Sequence, residues 1–111
     1  MKRSYKIIYS ADALDDLRDI YSYIAFNLLA KNTAKNLVSR IRSEISSLKS
    51  MPERYPLVEW EPWHSMGVRT LLVGNYIAYY YPDNENNTIL IARVFYGGRD
   101  IENIIKEDQN Y

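Results

Sequence analysis

At 111 residues, with fourteen basic and fourteen acidic side chains and no cysteine, the chain has room for one core and cannot build a disulfide framework or a thiolate metal site. Its charges cancel, which removes the broad cationic field behind most nucleic-acid affinity, and a single histidine makes an all-protein zinc site an unpromising reading. No apolar run approaches the roughly 18 residues of a membrane span, so one soluble cytoplasmic domain over residues 1–111, without metal or cofactor, is expected.

The first element in chain order is "YKIIY", Tyr5 to Tyr9, a short strand-like run. Ser10 follows as a helix N-cap, with acidic residues in the turn after it. Leu14, Leu17, Ile20, Tyr21, Ile24 and Leu28 then recur at helical spacing, and Asp12, Asp15, Asp16 and Asp19 are expected together on the opposite, solvated face. After the break "AKN" a second helix is predicted from Ala34, Leu37, Val38, Ile41, Ile45 and Leu48, ending before Pro52. The two helices read as an antiparallel hairpin. Lys31, Lys35, Arg42 and Lys49 line one flank of the second helix, most simply as a solvated stripe.

"PERYPLVEWEPWHSMG" has three prolines, both tryptophans and no periodicity, and is predicted to be a loop lying over the core. Next come "VRTLLV" and "YIAYYY", separated by Gly74-Asn75 as a tight hairpin turn, then the longer turn "PDNENN" and the strand "TILIARVF". These make an antiparallel meander. Gly97-Gly98 ends the sheet and lets the chain leave at a sharp angle, Asp100 is placed to cap a last helix, and Ile101, Ile104 and Ile105 give that helix an apolar face. The order is β-α-α-β-β-β-α, an α+β domain with a helical hairpin packed on a small antiparallel sheet.

The charge is uneven along the chain: residues 1–56 carry a net +4 and residues 57–111 a net −4. The chain has eleven tyrosines, several of them in "YIAYYY", a residue suited to half-buried strands and protein interfaces.

Four segments in this order, "YSADALDDLRDIYSYI", "ISSLKSMPERYP", "VRTLLVGNYIAYYY" and "ILIARVFYGGRDIENII", resemble the RelE/ParE superfamily of bacterial type II toxins over nearly the whole chain. The resemblance implies a growth-inhibiting toxin covered and neutralised by a cognate antitoxin. One branch of that superfamily cleaves mRNA in the ribosomal A site, and the other inhibits DNA gyrase without cutting RNA.

Cleavage through the 2′-hydroxyl needs a base, cations on the phosphate and an acid for the leaving oxygen. Carried onto this sequence, the nuclease pattern keeps Arg69 and Arg99 but meets Leu71 where a second cation would stand, Ile77 in place of an arginine, and Ile105 in place of a catalytic tyrosine. His64, Tyr96 and Tyr111 are the available substitutes, so the candidate catalytic set for a metal-independent endoribonuclease is His64, Arg69, Tyr96 and Arg99. A gyrase-directed toxin needs no such set, and "DALDDLRDIYSYI" is closer to the ParE branch.

On that reading Arg69, Arg93 and Arg99 are candidate target contacts, with Arg69 and Arg93 forming a small positive spot at the sheet margin. A solvated Arg93, and an Arg99 paired with Glu102, are the plainer alternatives. Tyr76, Tyr79, Tyr80 and Tyr81 are candidate antitoxin contacts, although strand alternation requires some of them to be core. Direct DNA binding is not expected without the antitoxin. The alternatives left open are a ribosome-dependent mRNA endonuclease and an interaction module that has lost toxicity.

Overall fold

The computed structural model describes residues 4–97 and 101–108. Strand β1, Lys6–Tyr9, runs into Ser10, whose hydroxyl oxygen accepts from the Ala13 N–H at 2.9 Å and so caps helix α1, Ala11–Ser22. The same hydroxyl donates to the Ala92 carbonyl at 2.7 Å, which ties the start of the helix to the sheet. A π-helical turn, Tyr23–Asn27, continues α1, and helix α2, Lys31–Ser46, returns beside it before a 3-10 turn at Ser47–Lys49. The second helix therefore begins inside the "AKN" stretch that the sequence suggested as a break.

Strands β2, Arg69–Val73, β3, Tyr76–Asp83, and β4, Thr88–Tyr96, form the expected antiparallel meander. The turn between β2 and β3 has Gly74 at φ +59°, a conformation that a side chain resists. β1 adds to the other side of β4 in parallel, giving the order β1-β4-β3-β2. The chain between the two strands, through α1, α2, β2 and β3, is long enough to allow this parallel pairing.

Both faces of the sheet are covered. On one face Ala13 and Leu17 of α1 and Ile41 and Ile45 of α2 pack with Leu71, Ala78, Tyr80, Ile89, Ile91 and Val94. On the other, Val58 and Trp63 from the proline-rich segment and Ile101 and Ile105 from helix α4, Ile101–Asp108, pack with Tyr79 and Phe95. The proline-rich segment thus lies over a core as predicted, and contains one short helix, α3, at Trp63–Met66.

The structure corrects the predicted face of α1 in two ways. Leu14 and Leu28 are 38% and 57% exposed, while Asp16, expected among the solvated aspartates, is buried. The inward stripe is Ala13, Asp16, Leu17, Ile20 and Ile24, a regular i, i+3, i+4, i+7 series that includes the aspartate. Leu28 falls after the π turn, where the α-helical period no longer holds.

Candidate functional site

The site begins where β1 stops. β1 pairs with β4 only as far as Tyr9 opposite Ile91, so the next residues of β4 have no strand beside them on that edge. A register shift between β3 and β4 at Tyr79/Tyr80 leaves Ala92 as the extra residue, which bends the strand there. Helix α1 takes over as the neighbour. Ser10 satisfies the Ala92 carbonyl, and six residues further on Asp16 accepts the Val94 N–H at 2.9 Å.

Asp16 also accepts two guanidinium hydrogens from Arg93, from Nε at 2.8 Å and from a terminal nitrogen at 2.9 Å. The pairing is bidentate and largely removed from water. The Arg93 guanidinium lies 4.4 Å from the centre of the Phe95 ring, so its charge meets a carboxylate and a π face at once. Arg93 is thereby committed within the chain.

Beyond this lock a groove of about 630 Å³ opens between α1 and the ends of β3 and β4, lined by Asp16, Asp19, Ile20 and Tyr23 from the helical side and by Tyr76, Val94, Phe95 and Tyr96 from the sheet. Tyr76 and Tyr96 are register partners, hence on one face, and their rings meet edge to face with centroids 5.7 Å apart. Burial pushes the Tyr76 hydroxyl above its ordinary pKa, and the nearby phenols of Tyr96 and Tyr23 push it further. Three tyrosines therefore converge on one recess. Tyr23 and Tyr96 are 56% and 50% exposed, so the recess is accessible.

The other predicted site residues lie elsewhere. Arg69 is aligned with Tyr80 and donates to the carbonyls of Tyr55 at 2.6 Å and Glu53 at 3.0 Å. Tyr80 stands four residues from Tyr76, about 13 Å along the strand at the usual rise per residue. His64 is exposed on α3, and its Nδ1–H donates to the Val58 carbonyl at 2.8 Å, which leaves Nε2 as the free nitrogen of the neutral ring. His64 and Arg69 are thus both tied to the proline-rich segment, while Tyr96 belongs to the groove. Arg99 and Tyr111 lie outside the described residues.

Arg69 and Arg93 do not form a common positive spot. Arg69 shares the helical side of the sheet with Tyr80, whereas Arg93 is aligned with Tyr79, on the side of the tryptophans. Of the four strand tyrosines, Tyr79 and Tyr80 are core residues on opposite faces and cannot meet a partner from the surface. Burial raises the pKa of both hydroxyls. Tyr76 opens on the groove, and Tyr81 lies on the tryptophan side of the sheet in a partly exposed row with its register partner Leu90 and, beyond it, Ile8.

The three positions that depart from the nuclease pattern are structural. Leu71 and Ile105 are 1% and 3% exposed in the two cores, and Ile77 packs against the second. Among the described residues no cluster of three or more His, Cys, Asp or Glu side chains is arranged to hold a metal, and no helix is long and apolar enough to cross a membrane.

Residues 7–101 match the family model of the ParE toxin of the type II toxin-antitoxin system, parDE. The chain belongs to this family. The fold of this ParE-family chain is shared with solved structures. One is the chromosomal ParDE toxin-antitoxin system from P. aeruginosa, similar with a TM-score of 0.67 and 22% identity over 83% of this chain and 95% of that one. Another is the toxin-antitoxin complex RelBE2 from Mycobacterium tuberculosis, with a TM-score of 0.59 and 19% identity over 84% and 98%. No curated protein sequence gives a significant match.

Membership of the ParE family agrees with the resemblance read from the four segments. The groove of this ParE-family chain was not among the features read from the sequence. The signal for it was present in the inward position of Asp16 on the α1 stripe and in Tyr76 and Tyr96, which flank the Gly74-Asn75 turn and the Gly97 exit.

Proposed function

We propose that this ParE-family chain arrests growth by binding DNA gyrase in the cytoplasm and is held inactive by a cognate antitoxin. The observation that carries the gyrase reading is the placement of Leu71, Ile77 and Ile105. Of these positions, where a nuclease would need polar side chains, Leu71 and Ile105 are buried in the two cores and Ile77 packs half-buried against the second. A cation at Leu71 or Ile105 would face several kcal/mol of desolvation without a partner. The separation of His64 and Arg69 from Tyr96 supports the same reading, because general acid–base work requires groups within hydrogen-bond reach of one substrate. Balanced charge favours a protein target over a polyanion, and direct DNA binding without antitoxin is not part of the proposal.

The antitoxin as partner is supported by the toxin-antitoxin complexes that share the fold. Arg99 and Arg69, both retained from the family pattern, remain proposed target contacts.

The deciding experiment is supercoiling of relaxed plasmid by gyrase in the presence of purified protein, run beside primer extension on mRNA from translating ribosomes. Blocked supercoiling, relieved by Arg99→Ala with intact mRNA, is expected. Unimpaired supercoiling together with new mRNA 5′ ends, from folded protein that still stops growth, would overturn the gyrase target in favour of ribosome-dependent cleavage.

A further inference from the structure

The two carboxylates of the groove are not equivalent. Asp16 is occupied by Arg93 and the Val94 N–H, whereas Asp19, one turn on, is exposed on the groove wall. The aromatic part of the wall consists of Tyr23, Tyr76 and Tyr96, the Phe95 ring being turned into the core on the other face of the sheet. Aromatic faces carry negative potential, and phenol oxygens accept hydrogen bonds. With Arg93 neutralising Asp16, the lining keeps one uncompensated negative charge surrounded by π systems. Such a surface repels anions and attracts a cation on an apolar stem.

A guanidinium fits better than an ammonium ion. It is planar and weakly hydrated, stacks on rings, and has five donors to share between a carboxylate and several phenols. The groove volume of about 630 Å³ exceeds the needs of one arginine and leaves Ile20 and Val94 as an apolar floor for a neighbouring side chain. We propose that this groove is a clasp for an arginine of a partner protein segment, with Asp19 holding the guanidinium, the three tyrosines enclosing it, and an adjacent apolar residue of the partner seated on Ile20 and Val94. Identifying the partner as the antitoxin rests on the proposed function above; the arginine chemistry does not.

The test uses protein labelled with ¹³C in the tyrosine rings, titrated with acetyl-Leu-Arg amide and with acetyl-Leu-citrulline amide, the neutral isostere. The arginine peptide should shift the resonances of Tyr23, Tyr76 and Tyr96 and bind about tenfold more tightly than the citrulline peptide. Asp19→Asn, at an exposed position that the fold does not need, should remove that preference. Equal binding of the two peptides, no binding, or shifts confined to other tyrosines would overturn the clasp. A second arm measures antitoxin release from the toxin–antitoxin complex, which Asp19→Asn should speed about tenfold. If Asp19→Asn abolishes the peptide preference but leaves the release rate unchanged, the antitoxin is overturned as the occupant and the clasp remains.

Discussion

The hydroxyl of Tyr80 donates to the carbonyl of Pro52 across 2.6 Å in a fully buried contact, joining the middle of the sheet to the chain segment that leaves the helical hairpin. Replacing Tyr80 with Phe keeps the ring and strands the carbonyl. Stability to urea should fall by about 1–3 kcal/mol with an unchanged m-value. A loss below a few tenths of a kcal/mol would mean that the hydroxyl is dispensable.

The same residue makes stability pH-dependent at the alkaline end. Burial pushes the Tyr80 hydroxyl up to about 12, against an ordinary value of 10. The folded state therefore holds its proton more tightly than the unfolded chain, and this contribution is complete below pH 10 and lost as the pH rises from 10 through 12. Tyr9, Tyr76 and Tyr79, also raised by burial, act in the same direction. Urea midpoints measured between pH 9 and 11 should decline, and less steeply in Tyr80→Phe. Parallel slopes in the two proteins would exclude Tyr80 as a source.

Removing one partner of the Asp16–Arg93 pair should cost more than removing both. Asp16→Ala leaves a desolvated guanidinium and an unpaired Val94 N–H, an expected loss of about 3–5 kcal/mol. The double variant Asp16→Leu, Arg93→Met should recover part of it. Additive losses in a double-mutant cycle would show that the pair is not coupled.

Ser10 serves two elements, so Ser10→Ala should destabilise by about 1–2 kcal/mol, at the upper end of the N-cap range. Ser10→Gly, which retains cap backbone geometry but not the bond to Ala92, should fall between Ala and wild type. A Ser10→Ala loss within a few tenths of a kcal/mol would remove both roles.

Restoring the nuclease pattern at Leu71 should harm the fold without conferring RNA cleavage. Leu71→Arg places a cation in the helix-side core, and thermal unfolding should move well below that of wild type. A stable Leu71→Arg protein that cleaves mRNA on ribosomes would contradict both the packing and the gyrase reading.

Most of the fold was legible because its elements obey local rules. Ser10 caps, Gly74-Asn75 turns the β2–β3 hairpin, and of the stripe read for the second helix Ala34, Ile41 and Ile45 are buried in α2 and Leu48 in the 3-10 turn after it, with Leu37 and Val38 half-buried beside them. The inward Asp16 was missed because polarity was read ahead of phase: an aspartate on the apolar stripe makes sense only once the bare edge of β4 is known. Arg93 was misread for the same reason, since its partner lies 77 residues away. Tyr79 and Tyr80 could not be sorted from Tyr76 and Tyr81 by sequence, because both faces of this sheet are covered and alternation alone distinguishes neither as outside. The groove needed Tyr23, Tyr76 and Tyr96 to be placed side by side, a product of register and crossover.

The parallel seat of β1 against β4 also fixes when the molecule can take shape during synthesis. β4 is an inner strand, flanked by β1 and β3, yet it is the last of the four to be made. Until it emerges from the ribosome, β1 has no strand to pair with, and α1 lacks the backbone that Ser10 and Asp16 grip. The helical hairpin can meet only Leu71, Ala78 and Tyr80 of β2 and β3, and lacks Ile89, Ile91 and Val94 of β4, while the translating ribosome completes the sheet. Native structure is consequently acquired in a late, concerted step, and an unfinished chain has neither lock nor groove.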